Sequence, residues 1–442
     1  MSDTTTKIIV LDDDPTGSQT VHSCLLLTRW DKMTLAEALQ DDSPLFFILT
    51  NTRGMHADKA ATLTREVCHN LKLALEDLKD LRINPILVSR SDSTLRGHYP
   101  VEPNVIADEL GPFDAHFIVP AFFEGGRITR DSTHYLVVDG VEIPCHETEF
   151  ARDSVFGYST AYLPDYVEEK TKGTIPASQV ERFLLDQVRG DNVERLKNLS
   201  NNVCCVVDCE QQSDLDHFCS QLKQVAAQHG RRFLFRSGAS LLTALAQLPP
   251  QPVPAQDMAR YVCQHRPGAI IVGSHVQKTT LQLKELLVLP QVEGIEIDVT
   301  CIQKGESKDM LSAVLERALS VHAEGRHPAI YTSRQELAFP DQQSRLEFGE
   351  EVSSFLMDVV RGLPTTLGFL ISKGGITTND VLSDGLALST SRVLGQILAG
   401  CSVVKCPAAH PRYPEMPVVI FPGNVGDNKG LATIFQRLSG SS

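Results

Sequence analysis

Residues 7–23 read KIIVLDDDPTGSQTVHS. An apolar run, Ile8–Leu11, stops at three aspartates, Asp12, Asp13 and Asp14, and the chain then turns through Pro15, Thr16 and Gly17. The run has the look of a buried strand. Carboxylates crowded at its end repel and raise one another's pKa. Such a group is poised as a base, or is held ionised by a neighbouring cation or metal. Asp14-Pro15-Thr16-Gly17 is also a turn by composition, but a turn needs one aspartate, not three.

Similar short runs recur at Leu45–Leu49, Pro85–Val88, His116–Val119, Val203–Val207 and Arg232–Phe235. Helical stretches separate them. In Ala57–Leu81, Leu63, Val67, Leu71, Leu75 and Leu78 repeat at three-to-four spacing. Alternating strand and helix indicates an α/β domain with a mainly parallel sheet. HYLVVDGVEIP, residues 134–144, carries an Asp139-Gly140 hairpin signal, so some antiparallel pairing accompanies it.

LPPQPVPAQ, Leu248–Gln256, holds four prolines in nine residues and reads as a linker. Strand-like runs then restart at Gly268–Val272, Gly294–Val299, Pro328–Thr332, Thr366–Ile371 and Val418–Phe421, with helical stretches at Leu311–His322 and Leu346–Val360. The expected architecture is two α/β domains, 1–250 and 257–442, each a mainly parallel sheet flanked by helices, with a cleft between them. A chain of 442 residues suits two domains.

The net charge of −14 argues against a nucleic-acid or anionic-membrane partner. No apolar run of about 18 residues predicts a membrane span. The start, MSDTTTKIIV, does not read as a signal peptide. The eleven cysteines lack paired zinc-type spacing, and Cys205 and Cys209 read as core thiols rather than metal ligands. A reduced cytoplasmic setting is the expectation. Oligomeric state is not legible, and a homo-oligomer is compatible with the sequence.

Ligands of open α/β sheets sit beyond the carboxyl ends of strands. The first-domain ends are polar: Asp12–Asp14; Thr50, Asn51, Thr52 and Arg53; Ser89–Thr94 with Arg96 and His98; and Gly126-Arg127. Carboxylates, hydroxyls and arginines together suit a small polyhydroxylated anion. The plainer reading is helix capping, for which SDST is well suited. In the second domain, Gly273-Ser274, Lys373-Gly374-Gly375-Ile376-Thr377 and Gly423-Asn424-Val425-Gly426 each lead from a strand into a helix. Main-chain amides at such junctions bind phosphate. None matches a P-loop or dinucleotide fingerprint.

In order, LDDDPTGSQT, SRSDSTLRGHYP, PAFFEGGRIT, TEFARDS, IIVGSHV, ISKGGITTND and FPGNVGD resemble the four-carbon acid sugar kinase family over nearly the whole chain. The resemblance implies an N-terminal acid-sugar domain, a C-terminal nucleotide domain, and phosphorylation of threonate, erythronate or a related tetronate by ATP. Asp13 and Asp14 match the acidic pair before Thr-Gly. Arg90, Asp92, Ser93, Thr94 and Arg96 match the second substrate motif. Ser274, Gly374, Gly375, Ile376, Thr377 and Gly423 match the nucleotide loops. Pro15, Gln19 and Ile376 depart from many members, which bears on the particular tetronate more than on the nucleotide.

The expected chemistry follows from both readings. Asp14, or Asp13, takes the proton of the attacking hydroxyl. Arg53, Arg90 or Arg96 pairs with the substrate carboxylate, and Asn51 and the serines take its hydroxyls. ATP lies on Ser274, Gly374–Thr377, Gly423, Asn424 and Gly426. Mg2+ is expected on the phosphates, through Asp380 or Asp427. Lys373 and Arg127 offset charge on the transferred group, Arg127 belonging with the substrate-binding set. No dedicated protein metal centre is read. The rivals are a metal-dependent sugar-acid lyase or isomerase and a two-domain sugar-acid-binding protein.

Overall fold

The computed structural model describes residues 5–334, 337, 339, 341–423 and 425–440, with the backbone alone at 342, 343 and 346. The chain divides into two compact units, Met1–Pro249 and Pro250–Ser442, the division falling inside the proline-rich stretch.

The first unit contains β1 (Thr5–Asp12), β2 (Leu25–Leu27), β3 (Leu45–Leu49), β4 (Ile83–Arg90), β5 (Ala115–Val119), β6 (Arg127–Arg130), β7 (Thr133–Val138), β8 (Val141–Pro144), β9 (Glu181–Phe183), β10 (Val203–Val207) and β11 (Phe233–Ser237). Eight of these form one sheet in the order β2-β3-β1-β4-β11-β5-β10-β9, every neighbouring pair parallel. Parallel strands joined by helical crossovers are covered on both faces, so β1, β3 and β5 read as continuous apolar runs rather than alternating ones. The helix Ala57–Asp77 buries Ala60, Thr64, Val67, Cys68, Leu71 and Ala74. Its stripe packs with Ile9, Phe46, Leu87 and Leu234 of the sheet. Phe117 sits among Phe183, Phe218, Phe233 and Phe235, ring centroids 5.5–5.9 Å away. Each such pair adds about 0.5–1.5 kcal/mol beyond burial.

β6, β7 and β8 form a separate antiparallel sheet. Asp139 and Gly140 both take positive φ, 51° and 79°, at the β7–β8 turn, as its Asp-Gly sequence predicts.

The second unit contains β12 (Ala269–Val272), β13 (Val292–Ile297), β14 (His327–Thr332), β15 (Leu370–Lys373), β16 (Thr390–Leu398), β17 (Cys401–Lys405) and β18 (Pro417–Phe421). Its order is β13-β14-β12-β15-β18-β17-β16; the first five strands are parallel, and β17 and β16 add antiparallel. The fold class is thus α/β, with mainly parallel sheets flanked by helices. Among the described residues, no helix is long and apolar enough to cross a membrane.

Candidate active site

Register places the first site. Asp12 lies opposite Leu49 of β3 and Arg90 of β4, and Ser237 of β11 lies opposite Arg90 and Val119 of β5. Five strand ends therefore reach one sheet edge together. The exits are tied by main-chain bonds: Thr50 N–H to the Asp12 carbonyl (2.9 Å), Ser91 N–H to Ser237 (3.0 Å) and Gly238 N–H to Val119 (2.9 Å).

The aspartate run splits into three environments. Asp12 is sealed, neither carboxylate oxygen having a hydrogen-bond partner among the described residues. Burial pushes its pKa well up, with Arg90 opposing and Asp13 and Asp14 adding to the rise. Asp13 is also buried, but Arg53 Nη2 donates to its Oδ1 at 2.5 Å and Ser91 Oγ donates to its Oδ2. Asp14 is partly open. Arg53 Nη1 donates to it at 3.2 Å, and the amide and hydroxyl of Thr16 donate at 2.9 and 2.5 Å. Burial favours the acid form of Asp14, but Arg53 and Thr16 outweigh it and hold the carboxyl below its usual range. Asp14 is therefore held ionised, and of the three it is the one with access to a ligand.

The loop after β4 supplies the second cluster. Asp92 accepts from Thr94 Oγ1 and from Arg96 Nε at 2.6 Å. Burial opposes its ionisation, but Arg53, Arg96 and Thr94 hold it strongly depressed. Arg96 also reaches Asp153 at 3.6 Å and lies over the Phe150 ring. Gly97 takes φ +111°, and a Cβ there would meet Arg236 Nη2 at 2.8 Å and Asp13 Oδ2 at 2.9 Å. Only glycine lets this loop pass so close to the carboxylates.

Asp13, Asp14, Arg53, Asp92, Thr94 and Arg96 are thus brought into one network. Arg90 is sealed beneath it, donating to the Ser91 carbonyl. Ser93 is buried, its carbonyl accepting from His134 Nε2 at 2.7 Å. Asn51 holds a left-handed conformation, φ 52°, at the turn that delivers Arg53. Arg127 opens β6. Glu102 and Arg236 are further members that the sequence pattern does not single out. Thr52 Oγ1 donates to the buried Glu102, whose pKa rises to about 7 through burial and the charge of Asp13. Glu102 looks like one more buried position of the helix Val101–Leu110. Arg236, near the end of β11, follows the same strand-end rule and could have been found by it.

In the second unit three glycine loops converge. A Cβ at Gly273 would meet Thr377 Cγ2 at 3.0 Å, and one at Gly374, φ +124°, would meet Ser274 Cβ at 3.3 Å. Gly374 N–H donates to the Phe421 carbonyl at 2.9 Å. Thr279 Oγ1 lies 3.3 Å from Ser274 Oγ and 3.2 Å from the Gly423 carbonyl. Arg334 donates to the Ser274 carbonyl at 2.7 Å and grips Thr332 through its other nitrogens. Lys373 is fully buried; its ammonium lies 3.8 Å from the Phe421 ring centre and donates to the carbonyls of Pro422 (2.5 Å) and Gly423 (3.2 Å). Burial lowers its pKa to about 7. Lys373 therefore braces the last glycine loop from beneath. Gly426, φ 78°, lies on that loop beside Gln282; Asn424 falls outside the described residues.

Gly273, Ser274 and Gly374–Thr377 line one part of a cavity of about 420 Å³; Val299, Phe339, Phe348, Val352 and Leu356 line an apolar part. The size and the mix of an apolar wall with a few polar groups suit a small organic ligand. Phe339 and Phe348 face each other with centroids 5.3 Å apart. Ile376 lies at its exposed rim. The sequence pattern does not mark this wall, because Phe348, Val352 and Leu356 repeat every four residues like any buried helix stripe.

The family model described as the sugar-binding N-terminal domain matches residues 8–245, and that described as the nucleotide-binding C-terminal domain matches 269–431. The chain is 25% identical over 441 residues to the D-threonate kinase of Salmonella typhimurium, spanning 96% of both chains. It is 27% identical over 218 residues to the D-erythronate kinase of Heliobacterium modesticaldum, spanning 48% of this chain and 46% of that one. Its fold is shared with a Haemophilus influenzae protein (TM-score 0.65, 16% identity, 98% and 99% of the chains covered) and with a Salmonella typhimurium LT2 protein (0.67, 16%, 98% of each). With both halves matched in order and each match enclosing one of the two sites, the chain belongs to the four-carbon acid sugar kinase family and is a sugar-acid kinase.

Proposed function

We propose that the protein transfers the γ-phosphoryl group of ATP to a hydroxyl of a four-carbon sugar acid such as threonate, erythronate or 3-oxo-tetronate. The observation that carries this reading is the Arg53 fork across Asp13 and Asp14 at the end of β1. It holds a carboxylate ionised beside a cluster of hydroxyls and cations, which suits removal of a proton from a sugar hydroxyl. Asp14 is the base. Asp13, sealed by Arg53 and Ser91, orients the fork. Asp92, Ser93, Thr94, Arg96 and Asn51 bind the substrate.

The second-unit cavity fits a nucleotide. At Gly273 and Gly374, which line it, a side chain would crowd Thr377 and Ser274, so the backbone comes close to the cavity wall there, as in phosphate-binding loops. Ser274, Gly374, Gly375 and Thr377 hold phosphate oxygens; the Gly423 loop, braced by Lys373, completes the cradle. Phe339, Phe348 and Leu356 cover the base. Asp427, whose Oδ1 accepts from the Lys429 amide, and Asp380, which accepts from Ser353 and Asn379, are the carboxylates that would hold Mg2+, which takes few protein ligands when phosphate supplies others. Bound Mg2+ neutralises charge on the phosphates. Transfer then rests on positioning rather than on covalent help.

The test is a coupled assay of ATP consumption across a panel of C4 sugar acids. The wild type turns over at least one of them. Asp14→Asn loses about 100-fold or more in kcat; unchanged turnover would remove Asp14 as the base.

A further inference from the structure

Five guanidinium groups belong to the first-unit site, and two of them are held in ion pairs. Arg53 is paired with Asp13 and Asp14, and Arg96 with Asp92 and Asp153. Arg90 is sealed, its charge acting on Asp12. Arg236 is sealed as well, and its charge lowers the pKa of Glu102. Arg127 differs. Among the described residues no carboxylate lies in ion-pair range of it. Its Nη1 donates to the Gly125 carbonyl at 2.7 Å, its guanidinium carbon lies 5.8 Å from the centre of the Phe122 ring, and its buried Nε has no partner among the described residues.

The loop that carries Arg127 is closed on itself. Phe122 N–H donates to the Arg127 carbonyl at 3.1 Å and Arg127 N–H returns to Phe122 at 2.9 Å. Gly126 takes φ +73°, and a Cβ there would strike the Val137 carbonyl at 2.5 Å. The side chain therefore leaves a rigid turn rather than a mobile tip. The carboxylate whose charge acts on it is Asp92, already claimed by Arg96 and Thr94. A guanidinium largely removed from water, without an anion of its own, is costly unless a ligand supplies one. The loss of solvation is visible in its lowered pKa.

We propose that Arg127 is the carboxylate anchor of the sugar-acid site, gripping the substrate carboxylate with the part of its fork that no protein carboxylate covers. This rests on the sugar-acid kinase reading and assigns within it a role that Arg53 and Arg96, paired internally, and Arg90 and Arg236, sealed from solvent, do not fill. An oxyanion at Arg127 could also be the transferred phosphoryl group, so binding is measured with nucleotide absent.

The experiment is isothermal titration of the full-length protein, without nucleotide, with D-threonate and D-erythronate and with their neutral amides, for wild type, R127K and R127M. The wild type binds acid more tightly than amide. R127M keeps the aliphatic stem over Phe122 and loses acid affinity about tenfold to 100-fold, the value of a charge-assisted hydrogen bond, while amide affinity is unchanged. R127K keeps the charge but not the fork, and narrows the acid-to-amide ratio; it decides the matter if R127M does not fold. Unchanged acid binding with a lowered kcat assigns Arg127 to the phosphoryl group and overturns the proposal, as does equal loss of acid and amide binding. A wild type that binds no sugar acid overturns the functional reading, and this inference with it.

Discussion

Arg53 Nη2 sits 2.5 Å from Asp13 Oδ1, with Asp13 sealed from solvent and Arg53 one-fifth exposed. The pair is made between the exit of β1 and the turn after its neighbour β3, so it depends on the β1–β3 register. The same guanidinium reaches Asp14 with its other nitrogen. It therefore governs both the stability of the strand end and the ionisation of Asp14, the proposed base.

Removing it has two separable effects. Arg53→Met leaves Asp13 buried and unpaired, at a cost of about 3–5 kcal/mol, read as a lower urea midpoint. It also removes the main cation that depresses the Asp14 pKa. The acid limb of the kcat–pH profile is expected to move to higher pH; a limb that stays put would detach Asp14 from it.

Glu102 gives a pH-dependent stability term. Its folded-state pKa is about 7 against an ordinary 4.5. Between those values the folded state holds a proton that the unfolded chain releases, so this group costs stability as pH rises from about 4.5 to 7. Glu102→Gln lacks the penalty. Its urea midpoint, relative to wild type, is expected to be higher at pH 8 than at pH 5.

Lys373 runs the opposite way. Its pKa falls from 10.5 to about 7 on folding. Above pH 7 the folded state is neutral while the unfolded chain remains protonated, so its contribution to stability rises with pH between about 7 and 10.5. Relative to Lys373→Met, wild type gains stability from pH 7 to pH 9. The variant also loses the two donors under the last glycine loop, and KM for ATP is expected to rise more than KM for the sugar acid.

The nucleotide cavity is tested by Phe348→Ala. A ring stacked on a base is worth about 1–3 kcal/mol. The variant should show a clearly smaller rise in Tm than wild type at one fixed concentration of ADP with Mg2+. An undiminished rise would place the base elsewhere.

Much of the fold was legible because parallel strands are buried on both faces and stand out as apolar runs. The strand-end rule then reached Asp13, Asp14, Arg53, Arg96 and Ser274 directly. What escaped has physical causes. β2 and β9 have three residues each. β16 carries Gly395 at φ +136° and two register shifts against β17, which break its alternation. Glu102 lies inside a helix and couples to the site only across space. The internal pairing of Arg53 and Arg96 depends on which carboxylate each finds, and spacing along the chain cannot say.

β11 has one more implication. It lies between β4 and β5 yet follows both in sequence, by more than a hundred residues. A nascent chain that has emerged only through β10 has a gap in the middle of its sheet, with β4 and β5 each missing a neighbour. The first unit closes only once residue 237 has left the ribosome, and until then those two strand edges are open to aggregation.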